Sequence, residues 1–305
     1  MDGILAVWKP EGWTSHDVVA KLRRLLGMKR IGHAGTLDPM VTGVLPVCLG
    51  RATRVVEYVQ ERPKAYEAVL KLGIATDTED MTGTILESVS VPPMSESDIA
   101  AALQSFRGTI AQVPPMFSAV KVNGKRLYEL AREGKTVERK AREATIYDIR
   151  LLRADLDREQ PEIEFAVQCS KGTYIRTLCV DIGKALGVPA TMAGLTRTMS
   201  AGITKESCLT MEQIQELAAS GELPSRLIPP DRAVAHLSMA EVEAFKETDA
   251  LRGQKIAFKF VSAEGKPPAF EGGELVRLYG RHAGFIGIYE ADAELAALKP
   301  VKVFS

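Results

Sequence analysis

Short apolar runs of two different periods divide this chain. Ile4 to Trp8 is a compact apolar run, read as a buried strand that stops at the turn Lys9-Pro10-Glu11-Gly12. Val18, Leu22, Leu25 and Leu26 then recur at helical spacing, which predicts a helix capped near Ser15 and stopped by Gly27. Val44 to Leu49 reads as a strand, Ala52 to Val59 as a helix, and Tyr66 to Ile74 alternates as a strand does. Ser95 with Asp98 has the form of a capping box and opens a helix through Phe106. β-branched residues return from Thr109 to Val122, and Arg126 to Arg132 is a short helix closed by Gly134. Thr145 to Leu156 and Ile163 to Ser170 are long strand candidates. The period then switches. Ile175, Leu178, Cys179, Ile182 and Leu186 share one helical face, ended by Gly187 and Pro189.

The proline-rich stretch Leu223 to Pro230 is the clearest break in the pattern and divides the chain into residues 1–230 and 231–305. Beyond it, Ala240 to Thr248 has a helical pattern, while Phe258 to Ser262, Leu275 to Tyr279 and His282 to Tyr289 look like strands. Helices and strands mix without the regular alternation of a doubly wound sheet. The expected fold class is α+β, with a mixed, largely antiparallel sheet and flanking helices, followed by a small β-rich domain.

Composition narrows the function classes. Apolar residues make up 46% of the chain and charged residues 26%, which sets aside a disordered or fibrous protein. No apolar run approaches a membrane span, and Met1-Asp2-Gly3 lacks the basic start of a secretory signal, so a cytoplasmic protein is expected. Cys48, Cys169, Cys179 and Cys208 are scattered without metal-ligand spacing, so buried thiols are expected and a metal is not. The formal net charge is zero, but it is unevenly spread. Lys21 to Arg30 carries five basic residues and no acidic one, whereas Leu72 to Leu103 carries six acidic residues and no basic one. Charge alone does not point to a nucleic acid.

The densest chemical signal is residues 32–46, G-H-A-G-T-L-D-P-M-V-T-G-V-L-P. Glycine opens backbone conformations closed to other residues and proline fixes its own φ, so this is a shaped loop around His33 and Asp38. Asp before Pro is also a common helix start. The full string, however, resembles the catalytic motif of the TruB family of tRNA pseudouridine synthases, in which the aspartate of G-H-x-G-x-L-D-P is catalytic. Gly172-Thr173-Tyr174-Ile175-Arg176, Lys64-Ala65-Tyr66-Glu67-Ala68 and Gly194-Leu195-Thr196-Arg197-Thr198 are similar to further motifs of that family, as are the Lys9-Pro10 turn and Pro114 to Lys121.

The resemblance implies a pseudouridine synthase fold with a C-terminal PUA-like RNA-binding domain. It also implies conversion of uridine 55 in the tRNA T-arm stem-loop to pseudouridine, by a monomer that needs no cofactor, membrane or obligatory protein partner. Asp38 would be the catalytic carboxylate, Arg176 its cation, and Tyr66 a base-stacking ring that assists proton removal at C5. Leu195 and Tyr174 would be pocket walls, His33 a group that helps displace bases, and Lys9 a phosphate or structural contact. Lys121 and Lys125 would be within reach of RNA. Asp80 fits either a partner for a nearby cation or a solvated turn. Two alternatives stay open: a guide-RNA-dependent synthase subunit and a non-catalytic tRNA-binding chaperone.

Overall fold

The computed structural model describes residues 1–122, 124–263, 265 and 269–304. In chain order the first elements are β1 (Gly3–Lys9), α1 (Ser15–Leu26), β2 (Ile31–His33), β3 (Thr42–Leu49), α2 (Val56–Glu61), β4 (Lys64–Leu72), β5 (Ile74–Thr76), β6 (Ile85–Ser88) and α3 (Glu96–Gln104). There follow β7 (Gly108–Gln112), β8 (Lys121–Val122), β9 (Lys125–Arg126), α4 (Leu127–Arg132), β10 (Arg142–Asp155), β11 (Glu162–Cys169), α5 (Ile175–Ala185), β12 (Ala190–Ser200), β13 (Ile203–Thr204) and α6 (Met211–Ser220). The last part holds α7 (Pro230–Ala233), β14 (Ser238–Val242), α8 (Glu247–Leu251), β15 (Ile256–Ala257), β16 (Val261–Ser262), β17 (Leu275–Gly280), β18 (Gly284–Asp292) and β19 (Ala297–Val303).

The main sheet runs β1-β3-β12-β4-β11-β10-β7, with β2 on β3 and β13 on β12. All pairings are antiparallel except β12 with β3, which is parallel over Thr196–Thr42 and Arg197–Gly43. That short parallel contact joins β3, which leaves the Asp38 loop, to the strand carrying Arg197. The second sheet runs β15-β19-β18-β17-β14-β16. The architecture is mixed α+β, with a separate β-rich C-terminal sheet.

Apolar faces explain the layers. Leu70, Phe165 and Ile149 of the main sheet pack with Ile99 and Leu103 of α3 and Leu178 and Ile182 of α5. At the other end Leu5, Val7 and Leu45 meet Val18, Val19 and Leu22 of α1 and Ile214 of α6. A third cluster joins the sheets themselves. Ile4, Val44, Cys48, Val55 and Val59 share it with Val234, Ile288 and Phe304.

Several elements differ from the sequence reading, each for a physical reason. The cap of α1 is Thr14, boxed with Asp17, which frees Ser15 for another contact. Residues 50–55 form 3-10 turns before α2 begins. The β-branched stretch from Thr109 supports a strand only as far as Gln112. Ala240 to Thr248 does not form one helix. Ala240 and Val242 are buried while Met239 and Glu241 are exposed, a period of two, and pairing to β17 makes this segment a strand. Phe258 to Phe260 is a 3-10 turn, with strand only at Val261–Ser262. β12, β19 and α6 were not anticipated. β12 is rich in small and polar residues because both its neighbours lie inside the sheet and supply the pairing.

Candidate active site

Asp38 sits in the loop between β2 and β3, and that loop is tied down on several sides. The backbone N–H of Leu37 donates to Ser15 Oγ (2.8 Å), and Ser15 Oγ donates to Leu37 O (3.2 Å). Lys9, fully buried at the end of β1, donates to the carbonyls of Pro10 (2.8 Å), Trp13 (2.6 Å) and Pro39 (3.2 Å). The backbone N–H of Gly12 also donates to Pro39 O (2.9 Å). Asp38 O accepts from Val41 N (3.0 Å), so Asp38 to Val41 is a single turn and no helix follows the Asp-Pro pair. From below, Arg197 of β12 donates through Nε to Val44 O (2.7 Å) and through Nη2 to Gly35 O (3.1 Å).

The carboxylate of Asp38 is half-exposed, and its Oδ2 lies 3.2 Å from Arg176 Nη2. Arg176 stands in the first turn of α5, where the helix dipole disfavours a cation. Its buried guanidinium is compensated by carbonyls and by a second carboxylate. Nη1 donates to Thr78 O (3.0 Å), Nη2 donates to Phe117 O (2.8 Å), and Asp80 Oδ2 lies 3.5 Å from Nη1. Asp80 is only 5% exposed and its Oδ1 accepts from Thr78 Oγ1, Thr82 N and Thr82 Oγ1. Of the two readings its sequence context allowed, the buried partner of a cation is the one observed. The next residue back, Glu79, accepts from Thr177 Oγ1 (2.7 Å), and burial pushes its carboxyl up.

The other residues singled out in the sequence occupy distinct places. Tyr66 of β4 is buried in the cluster that holds Leu37 and Val41, which flank Asp38, and Leu195 packs against the same cluster. Burial pushes the Tyr66 phenol up, so it keeps its proton at neutral pH. Tyr174 caps α5, and its backbone is clamped by Gln112: Tyr174 N donates to Oε1 (3.0 Å) and Nε2 donates to Tyr174 O (3.2 Å). His33 lies at the end of β2, at the far side of the loop, and burial holds its imidazole below the usual value. Lys125 is engaged with Glu133 at 3.1 Å.

Lys9 requires a correction. With its three N–H groups spent on carbonyls and no exposed surface, it has no donor left for a phosphate, and its contact is structural. Arg197 and Ser15 were missed as loop supports. The signal was present in Arg197, the one charged side chain in a strand of small, polar and apolar residues. Among the described residues no group of three or more His, Cys, Asp or Glu side chains is arranged to hold a metal ion, and no helix is long and apolar enough to cross a membrane.

Comparison with known proteins identifies the family. The model of the TruB family pseudouridylate synthase N-terminal domain matches residues 23–175, and that of the tRNA pseudouridylate synthase B C-terminal domain matches residues 176–235. The tRNA pseudouridine synthase B of Staphylococcus aureus is 49% identical over 310 residues, covering 100% of this chain and 99% of that protein. The protein of the same name from Bacillus pumilus is 43% identical over 312 residues, covering 100% of this chain and 98% of its own. Among solved structures, a chain of a Cbf5-Nop10-Gar1 complex superposes with a TM-score of 0.78 at 28% identity, covering 99% of this chain and 85% of that one. A chain from an H/ACA RNP bound to a substrate RNA containing 2'-deoxyuridine gives 0.75 at 26% identity, with the same coverage. With family models matching residues 23–235 and full-length relatives of one kind, this chain belongs to the TruB family of pseudouridylate synthases.

Proposed function

We propose that this enzyme converts a uridine in the T-arm stem-loop of tRNA to pseudouridine, with Asp38 as the catalytic carboxylate. The tRNA substrate is supported by the full-length relatives, which are named tRNA pseudouridine synthase B. The observation that carries the assignment of Asp38 is its contact with Arg176: a half-exposed anion on a braced loop, paired with a cation that is itself buried.

The reaction breaks the bond between ribose C1′ and uracil N1, turns the base and rejoins it through C5. A proton leaves C5 and N1 ends protonated, so no atoms are gained or lost. A base inside a stack is out of reach, so the target nucleotide is flipped out of the loop into the pocket. Arg176 keeps Asp38 ionised as the site is closed to water, which either attack at C6 or attack at C1′ requires. Tyr66 stacks on the base, and its hydroxyl assists removal of the C5 proton. Leu195 and Tyr174 close the walls, and His33 occupies space vacated in the loop. Residues 1–230 act as the catalytic unit and 231–305 as a PUA-like unit that grips the rest of the tRNA. The enzyme works as a cytoplasmic monomer without a guide RNA.

The test uses a T-arm stem-loop carrying tritium at uracil C5, with the wild-type chain and Asp38→Asn. Release by wild type alone, with both proteins binding the RNA, supports the reading. Binding without release by wild type favours a chaperone or a guide-dependent subunit; the solved neighbours are parts of an H/ACA RNP and of a Cbf5-Nop10-Gar1 complex.

A further inference from the structure

Arg197 is among the largest fully buried side chains of the molecule, at 1% exposure. Among the described residues no carboxylate lies within ion-pair distance of it. Burying a charge is costly unless it is paired or fully hydrogen-bonded, so the uses of this guanidinium matter. It donates to Val44 O at 2.7 Å, to Gly35 O at 3.1 Å and, more weakly, from Nη1 toward Thr36 O at 3.5 Å. Gly35 and Thr36 precede Asp38, and Val44 follows it. One planar fork therefore holds both limbs of the Asp38 loop.

The backbone makes this approach possible. Arg197 pairs with Gly43 of β3 on one side and with Tyr66 of β4 on the other. A Cβ on Gly43 would fall 2.2 Å from Arg197 O, so only glycine lets the two strands meet there. Cross-strand partners in register share a face, which sets the Arg197 side chain beside Tyr66. Lys64 Cε and Arg197 Nη1 lie on the same side of Gly35, at 3.5 and 3.4 Å from where its Cβ would be.

We propose that Arg197 is a positioning residue for the reaction, fixing the Asp38 loop from both limbs and holding Tyr66 in register with it. This inference rests on the assignment of Asp38 as the catalytic carboxylate. Lysine is no substitute, because a single ammonium on a flexible stem cannot span carbonyls on two limbs. A displacement of the carboxylate by about an ångström is enough to lower the rate roughly 100-fold without touching affinity.

The experiment measures single-turnover tritium release per bound stem-loop for wild type, Asp38→Asn, Arg197→Met and Arg197→Lys, all as full chains. Counting turnover per bound complex removes any change in folded fraction, which a purely structural role would alter. Expected are RNA affinity within about threefold of wild type for both Arg197 variants and a rate lowered about 100-fold for Arg197→Met. Arg197→Lys keeps the buried charge and bulk, so it serves if the methionine variant does not fold, and it is expected to remain more than about tenfold slow. A rate within about threefold of wild type for either folded variant overturns the proposal, as does failure of both to fold. If wild type itself releases no tritium, it is the functional reading that fails.

Discussion

Arg176 hides its charge while Asp38 presents its own: their side chains meet at 3.2 Å, yet the guanidinium is 9% exposed and the carboxylate 46%. The asymmetry separates the two residues in any stability measurement. Arg176→Met strands the buried Asp80 carboxylate and is expected to cost about 3–5 kcal/mol in urea unfolding. Asp38→Asn, which removes a solvent-screened anion, is expected to change stability by less than about 1 kcal/mol. Equal losses would mean that Asp80 does not depend on Arg176.

Ser15 links the start of α1 to the residue before Asp38. Ser15→Ala leaves the buried N–H of Leu37 without a partner, at a cost of about 1–3 kcal/mol. The rate of tritium release per bound RNA should fall with it, because Leu37 and Asp38 move as neighbours. Destabilisation with an unchanged rate would show that the loop is held well enough by its other ties.

Two glycines near the site should respond differently to alanine. Gly43→Ala combines a φ of +117° with a Cβ 2.2 Å from a backbone oxygen, so β3 and β12 must part and thermal unfolding should lose its native midpoint. Gly12→Ala has a φ of +80° but open space around it, and only the left-handed penalty of about 1–2 kcal/mol is expected. Similar melting curves for the two variants would contradict the tight β3–β12 contact.

Lys9 predicts a pH dependence. Burial brings its ammonium down to about 8 from the ordinary 10.5. Between those values the unfolded chain holds a proton that the folded chain has released, so the Lys9 contribution favours folding more as pH rises through that window. Lys64, also brought down to about 8 by burial, acts in the same direction. Urea unfolding of wild type and Lys9→Met should therefore show wild type gaining on the variant from about pH 8 upward. A constant difference would place the titration of Lys9 where an unfolded lysine has it.

Much of this was legible because local signals were strong. The capping box at Ser95, the glycine stop of α1 and the alternation around Tyr66 are consequences of nearest-neighbour chemistry, and the elements formed where expected. The motif positions Asp38 and Arg176, 138 positions apart in the chain, do meet. What stayed hidden depends on contacts remote in sequence. β12 carries small and polar residues around one charged residue, Arg197, and matches no amphipathic period; it becomes a central strand only because β3 and β4 lie on either side. Ala240 to Thr248 favoured a helix until β17 offered pairing. Lys9 and Asp80 carry side chains that are usually solvated. Their burial follows from backbone carbonyls and a guanidinium supplied by distant segments.

The cluster that Ile288 and Phe304 share with Val44 and Cys48 has a mechanical consequence. A hinge needs slack, and here the seam between the sheets is filled with side chains directly behind the strand that leaves the Asp38 loop. Arg51 adds a clasp by donating to Phe304 O at 2.8 Å. Any rotation of one sheet against the other would have to tear this packing and that hydrogen bond first, so the seam acts as a weld and not as a joint.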